Sequence, residues 1–279
     1  MNTKSANQLL TEVIQGNGRI TVLTGAGISA ESGIPTFRGP EGFWTIGSKD
    51  YHPQDMATFS MFCRNPEAVW EWYLYRMGLC KKARPNVGHR ALASMESHLQ
   101  NQFTLITQNV DNLHILAGNS LARTLQIHGN IFQVRCASAC TDEIFSLPEG
   151  VSPKAKGSAL TDAEHRSLKC ANCGSWLRPH VLWFDEAYNE RHYHFYSALE
   201  TAKRTRLLIT VGTAGATTLP NQIVSLVLSN GDLMFDINVA DNPFAGLAMQ
   251  SDQGIFIRRT SSEALVALLH TIASVKSNL

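Results

Sequence analysis

Arg19-Ile-Thr-Val-Leu-Thr24 runs without a break into Gly25-Ala-Gly-Ile-Ser-Ala30. The first segment is aliphatic and β-branched from Ile20 onward and reads as a buried strand. The second follows the Gly25-x-Gly27-x-x-Ala30 pattern of a dinucleotide-binding turn. There the missing Cβ atoms let backbone amides approach a pyrophosphate, and a following helix N-terminus adds a favourable dipole. A purely structural glycine turn has the same letters. The acidic ribose ligand expected about 20 residues further on finds no support, because Asp50 lies in a segment without strand character. An ordinary nicotinamide dehydrogenase is therefore not favoured.

Outward from this junction, β-rich runs recur at Phe103 to Thr107, Leu207 to Val211, Leu233 to Val239 and Gly254 to Arg258. Helix-like stretches fall at Ala6 to Gln15, Arg90 to Leu99, His192 to Ala202, Asn221 to Leu228 and Ser262 to Ile272. Strands alternating with helices predict an α/β fold, a parallel sheet covered on both faces. Ligands of such sheets bind beyond the carboxyl ends of the strands. The polar clusters Gly25 to Ser29, Gln108-Asn-Val-Asp111, Gly212-Thr213 and Asn238 all fall there. Two stretches interrupt the alternation, about Gly39 to Arg84 and about Arg135 to Pro179, and read as insertions forming a smaller domain. The resulting division is 1–38, 85–134 and 180–279 for the sheet domain, 39–84 for a helical module and 135–179 for a cysteine module.

The 279 residues include 44% hydrophobic and 17% charged side chains, which excludes a disordered chain. Lys and Arg number 24 against 23 Asp and Glu, so no global basic field favours nucleic acid or an anionic membrane. No apolar stretch reaches the roughly 18 residues of a membrane span, and Met1 to Gln15 lacks a secretory core. The expectation is a cytoplasmic protein with neither a nucleic-acid nor a membrane partner. In that reducing compartment disulfides are rare, so the pairs Cys136/Cys140 and Cys170/Cys173 read as two knuckles of a structural zinc site. Four thiolates leave the metal no open position for water. The first pair has three intervening residues instead of two, which predicts a looser knuckle, and Gly174 suits the tight backbone after Cys173. Cys63 and Cys80 read as core residues.

The run Gly25 to Arg38, with Thr107-Gln-Asn-Val-Asp111, Leu113-His114, His128-Gly129 and the four cysteines, closely resembles the sirtuin family. The matches are in order from about Gly18 to Ile272. The resemblance implies a Rossmann-type domain with a smaller helical and zinc-binding domain. It implies removal of acyl groups from protein lysines at the expense of NAD⁺, with acyl-lysine proteins or peptides as substrates. It assigns Gly25, Ala26, Gly27, Thr36, Phe37 and Arg38 to the cofactor's phosphates and ribose. Gln108, Asn109 and Asp111 would hold the nicotinamide and its ribose, and Gly212, Thr213 and Asn238 the adenosine side. The acyl oxygen would attack C1′ as nicotinamide leaves, with Asn109 beside that centre. His128 would then act as base for a ribose hydroxyl, giving free lysine and 2′-O-acyl-ADP-ribose. An imidazole titrating near neutrality suits that role.

Arg178-Pro-His-Val-Leu-Trp-Phe-Asp-Glu186 resembles the family's extended substrate strand, in which Val181, Leu182 and Phe184 would line the lysine channel. The bland reading is a buried strand. Asp185 replaces the usual Gly, Ala214 the usual Ser after Gly-Thr, and Asn238 lacks the acidic residue that often follows it. Asn65 followed by Pro66 predicts a helix start. On that helix Tyr73 and Arg76, three apart, can converge on one carboxylate. Spacing alone equally fits a half-buried ring and a solvated charge, but Trp70 to Arg76 resembles the class III sirtuins, which take succinyl and malonyl lysine. Phe43-Trp44 and Pro53 to Ala57 are similar to that class as well. Two other readings stay open: an NAD⁺ hydrolase or ADP-ribosyltransferase, and a noncatalytic dinucleotide-sensing zinc module.

Overall fold

Ile20 to Thr24 is buried at every position, and so is Leu207 to Val211. Runs of that kind belong to strands covered on both faces. The computed structural model, which describes residues 4–36 and 53–278, places them side by side in a parallel sheet. In chain order the strands are β1 (Ile20–Thr24), β2 (Phe103–Thr107), β3 (Thr124–Gln126), β4 (Gly129–Cys136), β5 (Phe145–Ser146), β6 (Leu177–Val181), β7 (Leu207–Val211), β8 (Leu233–Asn238) and β9 (Gly254–Arg258). Six of them form the sheet β3-β2-β1-β7-β8-β9. The chain begins at the centre, works outward to β3 and later resumes on the other side of β1. The order thus reverses between β1 and β7, the switch point at which such sheets open a crevice. In register, Thr24 lies between Thr107 and Val211, so three loops leave the sheet together.

Helices Ala6–Gln15, Val87–Leu99 and Ser261–Ser277 cover one face with Leu10, Ile14, Leu92, Met95, Leu265 and Leu268. Helices Phe195–Lys203, Thr218–Ser229 and Pro243–Gln250 cover the other with Ala198, Ala202, Ile223, Val224 and Phe244. A third cluster lies apart from both. It joins Trp70, Tyr73, Leu74 and Met77 of helix Pro66–Lys82 to Ile131, Val134, Leu177 and Trp183, around the antiparallel sheet β5-β4-β6. Trp70 Nε1 donates to the Leu177 carbonyl at 2.8 Å, fixing the helix to β6. Among the described residues no helix is long and apolar enough to cross a membrane.

Four expectations need correction. The helix after the glycine turn is a single turn, Gly27–Ala30, too short to carry an appreciable dipole. The stretch His192 to Ala202 is not one helix. It breaks at His194 (φ 53°), because Glu190 accepts hydrogen bonds from the Tyr196 and Ser197 amides and so caps a second helix there. The strand expected through Glu186 stops at Val181. Beyond it, Glu186 N–H donates to the Trp183 carbonyl and the Glu186 carboxylate accepts from Trp183 N–H, both at 3.0 Å, which closes a turn. Cys63, read as a core residue, is exposed, whereas Cys80 is buried.

Candidate functional site

The floor of the crevice is made of loops in direct backbone contact. Gly25 N–H donates to the Val211 carbonyl (3.0 Å) and Gly27 N–H to that of Gly212 (2.8 Å). A Cβ on Gly27 would lie 2.6 Å from Gly212 Cα, and one on Gly212, whose φ is +58°, 2.7 Å from Gly27 Cα. The glycines therefore serve first to let two protein loops touch. This requirement acts within the protein, in addition to the ligand approach that the motif implied.

Below the turn lies a buried polar network. Ser29 Oγ donates to Asp111 Oδ2 (2.6 Å) and accepts from Asn109 Nδ2 (3.0 Å), while Asp111 Oδ1 accepts from Leu113 N–H (2.9 Å). Burial raises the Asp111 pKa, opposed by the Ser29 hydrogen bond. Thr24 Oγ1 donates to Thr107 Oγ1 (2.8 Å) and sits 3.0 Å from His114 Nε2. Gln108 reaches across the switch point, its Nε2 donating to Thr213 Oγ1 (2.9 Å) and its Oε1 accepting from Thr217 Oγ1 (3.0 Å). Asn238 Nδ2 donates to the Thr213 carbonyl at 3.1 Å, so part of its polarity ties β8 to the loop after β7. The structure thus brings together Gly25, Ala26, Gly27, Gln108, Asn109, Asp111, Gly212, Thr213 and Asn238. Thr36 is half-buried at the end of the first described segment. Phe37, Arg38 and the Phe43-Trp44 pair lie outside the described residues.

His128 stands where β3 passes into β4. Its Nδ1 is 2.9 Å from the Gln108 carbonyl and its Nε2 2.8 Å from the Tyr188 hydroxyl. Burial lowers its pKa to about 4, so the ring is neutral at physiological pH. The residue after it must be glycine: Gly129 has φ +83°, and a Cβ there would sit 2.1 Å from the His180 carbonyl oxygen. That close approach pairs Gly129 with Val181, and Leu182 N–H donates to the His128 carbonyl at 3.0 Å.

The segment Val181 to Phe184 therefore hangs directly on His128. Val181 is buried in β6, Leu182 is half-buried, Trp183 is buried, and Phe184 is exposed with its amide bonded to the Ala57 carbonyl. Phe184 is thus at the surface of the segment and not inside it. Asp185 accepts from the Phe59 (2.7 Å) and Ser60 (2.9 Å) amides, capping helix Phe59–Arg64. The turn is held from below by Arg178, whose guanidinium lies 3.5 Å from the Trp183 ring and donates to Glu186 Oε2 at 2.8 Å.

Tyr73 and Arg76 are both buried on the helix that Asn65 caps through Ala68 N–H (3.1 Å). The Arg76 guanidinium lies 4.6 Å from the Trp72 ring centroid and 5.3 Å from that of Tyr73. Tyr73 Oη accepts from Trp183 Nε1 at 2.7 Å, which joins this pair to the segment beside His128. Burial raises the Tyr73 pKa, with Arg76 pulling it down, and keeps the phenol protonated.

Ligand atoms of Cys136, Cys140, Cys170 and Cys173 all lie within 4.8 Å of one another. The Cys136–Cys173 and Cys140–Cys170 sulfur separations are 3.6 and 3.5 Å. Tetrahedral zinc with Zn–S bonds of about 2.3 Å requires separations of about 3.8 Å, so the donor set fits. The longer first knuckle closes by placing Ala139 at φ +48°. In the second, Gly174 at φ +73° donates its N–H to the Cys170 carbonyl (2.8 Å).

Ser29, Tyr188 and Thr217 are site residues that the motifs did not single out. Ser29 lay inside the glycine run, whereas Tyr188 and Thr217 carry no local signal.

A sequence model described as the Sir2 family matches residues 25–218. An NAD-dependent protein deacylase of Leptospira interrogans serogroup Icterohaemorrhagiae serovar copenhageni (strain Fiocruz L1-130) is 38% identical over 254 residues, 91% of this chain and 93% of that protein. The structure of a Sir2 homolog–NAD complex superposes with TM-score 0.79 at 30% identity, covering 99% of this chain and 97% of the other. A Sir2 structure with deacetylated p53 peptide and 3′-O-acetyl ADP-ribose superposes with TM-score 0.75 at 25% identity, covering 97% and 98%.

Proposed function

The chain belongs to the Sir2 family, and from that premise we propose that it deacylates protein lysines at the expense of NAD⁺, preferring the acidic succinyl and malonyl groups. The observation that carries the activity is the polar crevice at the carboxyl ends of β1, β2, β7 and β8, with a neutral histidine at its side. NAD⁺ supplies an activated glycosidic bond to nicotinamide and a ribose hydroxyl. Gln108, Asn109 and Asp111 hold the nicotinamide side, with Asn109 at the reacting sugar. The Gly25–Ala26–Gly27 turn, Thr36 and Arg38 hold the phosphates and ribose, and Phe37 shields the reacting sugar, as the family resemblance assigns them. Gly212, Thr213 and Asn238 flank the adenosine side. His128 takes the ribose hydroxyl's proton on Nε2, a role that a half-buried neutral ring supports. Cys136, Cys140, Cys170 and Cys173 hold a structural zinc away from this chemistry.

Acyl-lysine peptides are the proposed partner, entering beside Val181, Leu182 and Phe184. For acyl preference the supporting observation is the join between Tyr73, Arg76 and Trp183. The bond from Trp183 uses a lone pair of the Tyr73 oxygen and leaves the phenol proton to donate. Arg76 adds a cation already desolvated, where an ion pair is strong only with a carboxylate in good geometry. Matched succinyl, malonyl and acetyl peptides, assayed with NAD⁺ by peptide mass and nicotinamide release, test both parts. Arg76→Met is expected to lower acidic-acyl kcat/KM at least about tenfold, in keeping with loss of a charge-assisted contact, while sparing acetyl turnover. Equal loss on all three peptides would remove the acyl assignment, and nicotinamide release with unmodified peptides would remove deacylation.

A further inference from the structure

We propose that Tyr188 is a positioning residue for His128, its hydroxyl fixing the imidazole plane through Nε2 in the free enzyme and yielding that lone pair to the ribose hydroxyl when the cofactor binds. The proposal rests on the reading of His128 as the base. The Gln108 carbonyl can only accept, so at 2.9 Å it requires the proton on Nδ1. Nε2 of the neutral ring is then an acceptor, and the Tyr188 hydroxyl at 2.8 Å is its donor.

Tyr188 is itself held in place. Its ring stacks on Phe195 at 6.3 Å and 28° and is half-buried. The Thr217 hydroxyl, a neighbour of its oxygen, donates to Gln108 Oε1 at 3.0 Å. The hydrogen bonds run from the Gln108 carbonyl through His128 to Tyr188, and separately from Thr217 to the Gln108 side chain. The same residue that is proposed to meet nicotinamide with its amide thus orients the base with its carbonyl. Four separate stretches of chain meet around Gln108 and His128: the end of β2, the β3–β4 junction, the turn after β6 and the start of helix Thr218–Ser229.

The test uses the full-length zinc-loaded chain. The ¹⁵N resonances of the His128 ring are recorded at neutral pH without NAD⁺, in the natural protein and in Tyr188→Phe, and assigned by their disappearance in His128→Ala. Tyr188→Phe keeps the stacking on Phe195 and removes only the donor. Nε2 is expected to move toward the position of an unbonded imine nitrogen. On acyl peptide, kcat is expected to fall on the order of tenfold, the lower range for loss of an orienting partner, with KM for NAD⁺ little changed. An unmoved Nε2 resonance overturns the proposal, as does an unchanged or raised kcat, which would make Tyr188 a bystander or an obstruction. Because the resonances are read without turnover, a natural protein that never deacylates would unseat the functional reading and leave this measurement standing on its own.

Discussion

His128 combines a low pKa with a fixed tautomer, and the two together make its behaviour predictable. Depression to about 4 leaves the ring unprotonated throughout the neutral range, so the proposed base is competent there without losing a proton first. In the free enzyme the acid limb of kcat/KM should therefore lie well below the ordinary histidine value of about 6.5, descending only toward pH 4. A limb centred near 6.5 would show that the ring is hydrated in solution. His128→Ala should lower turnover by roughly 10² to 10⁴ while leaving the thermal transition nearly in place. The proposal for this residue rests on its His-Gly context, and Gly129 has a steric reason in the approach of β6. Its partner was not readable: Tyr188 is 60 positions away, and Thr217 meets Gln108 across 109. Side chains that meet only through the tertiary fold leave no spacing to detect.

Among the elements, helix Phe59–Arg64 and the turn after β6 depend on each other through Asp185. Removing two amide-to-carboxylate bonds at a helix start costs about 1 kcal/mol, so Asp185→Ala should lower the melting temperature by a few degrees. It should also raise KM for acyl peptide more than for NAD⁺, since the turn carries Leu182 and Phe184. An unaltered melting temperature would show that Thr58, whose Oγ1 accepts from Met61 N–H at 3.1 Å, suffices as the cap. The same carboxylate explains why glycine is not needed at this position. The parallel strands were legible because burial on both faces makes them unbroken apolar runs. The antiparallel sheet was not, since β4 carries Gln133 and Arg135 and its pairing with β6 shifts register between Asn130 and Val134. The helix Pro243–Gln250 is marked in the sequence by Asn242 as cap and Pro243 at its first position.

For the molecule as a whole, the positions of the cysteines divide the consequences of metal loss. Cys136 and Cys170 are buried in the same apolar cluster as Trp70, Leu168 and Leu177, whereas the clusters on the two faces of the parallel sheet contain no cysteine. One zinc per chain is expected by elemental analysis. Because metal binding is coupled to folding of such small sites, chelation should produce a separate, earlier unfolding transition in calorimetry. It should abolish peptide turnover while NAD⁺ binding survives in part. A single cooperative transition with and without chelator would show that the metal contributes nothing to the smaller core. The contact between Gly27 and Gly212 bears on a different matter, how this protein can change. Neither glycine can gain a side chain while the other loop keeps its place, and no second substitution can make room, because the obstructing atoms are main-chain atoms. Mutational routes to a new cofactor preference are closed at the floor of the crevice, and any drift in specificity must begin at its rim.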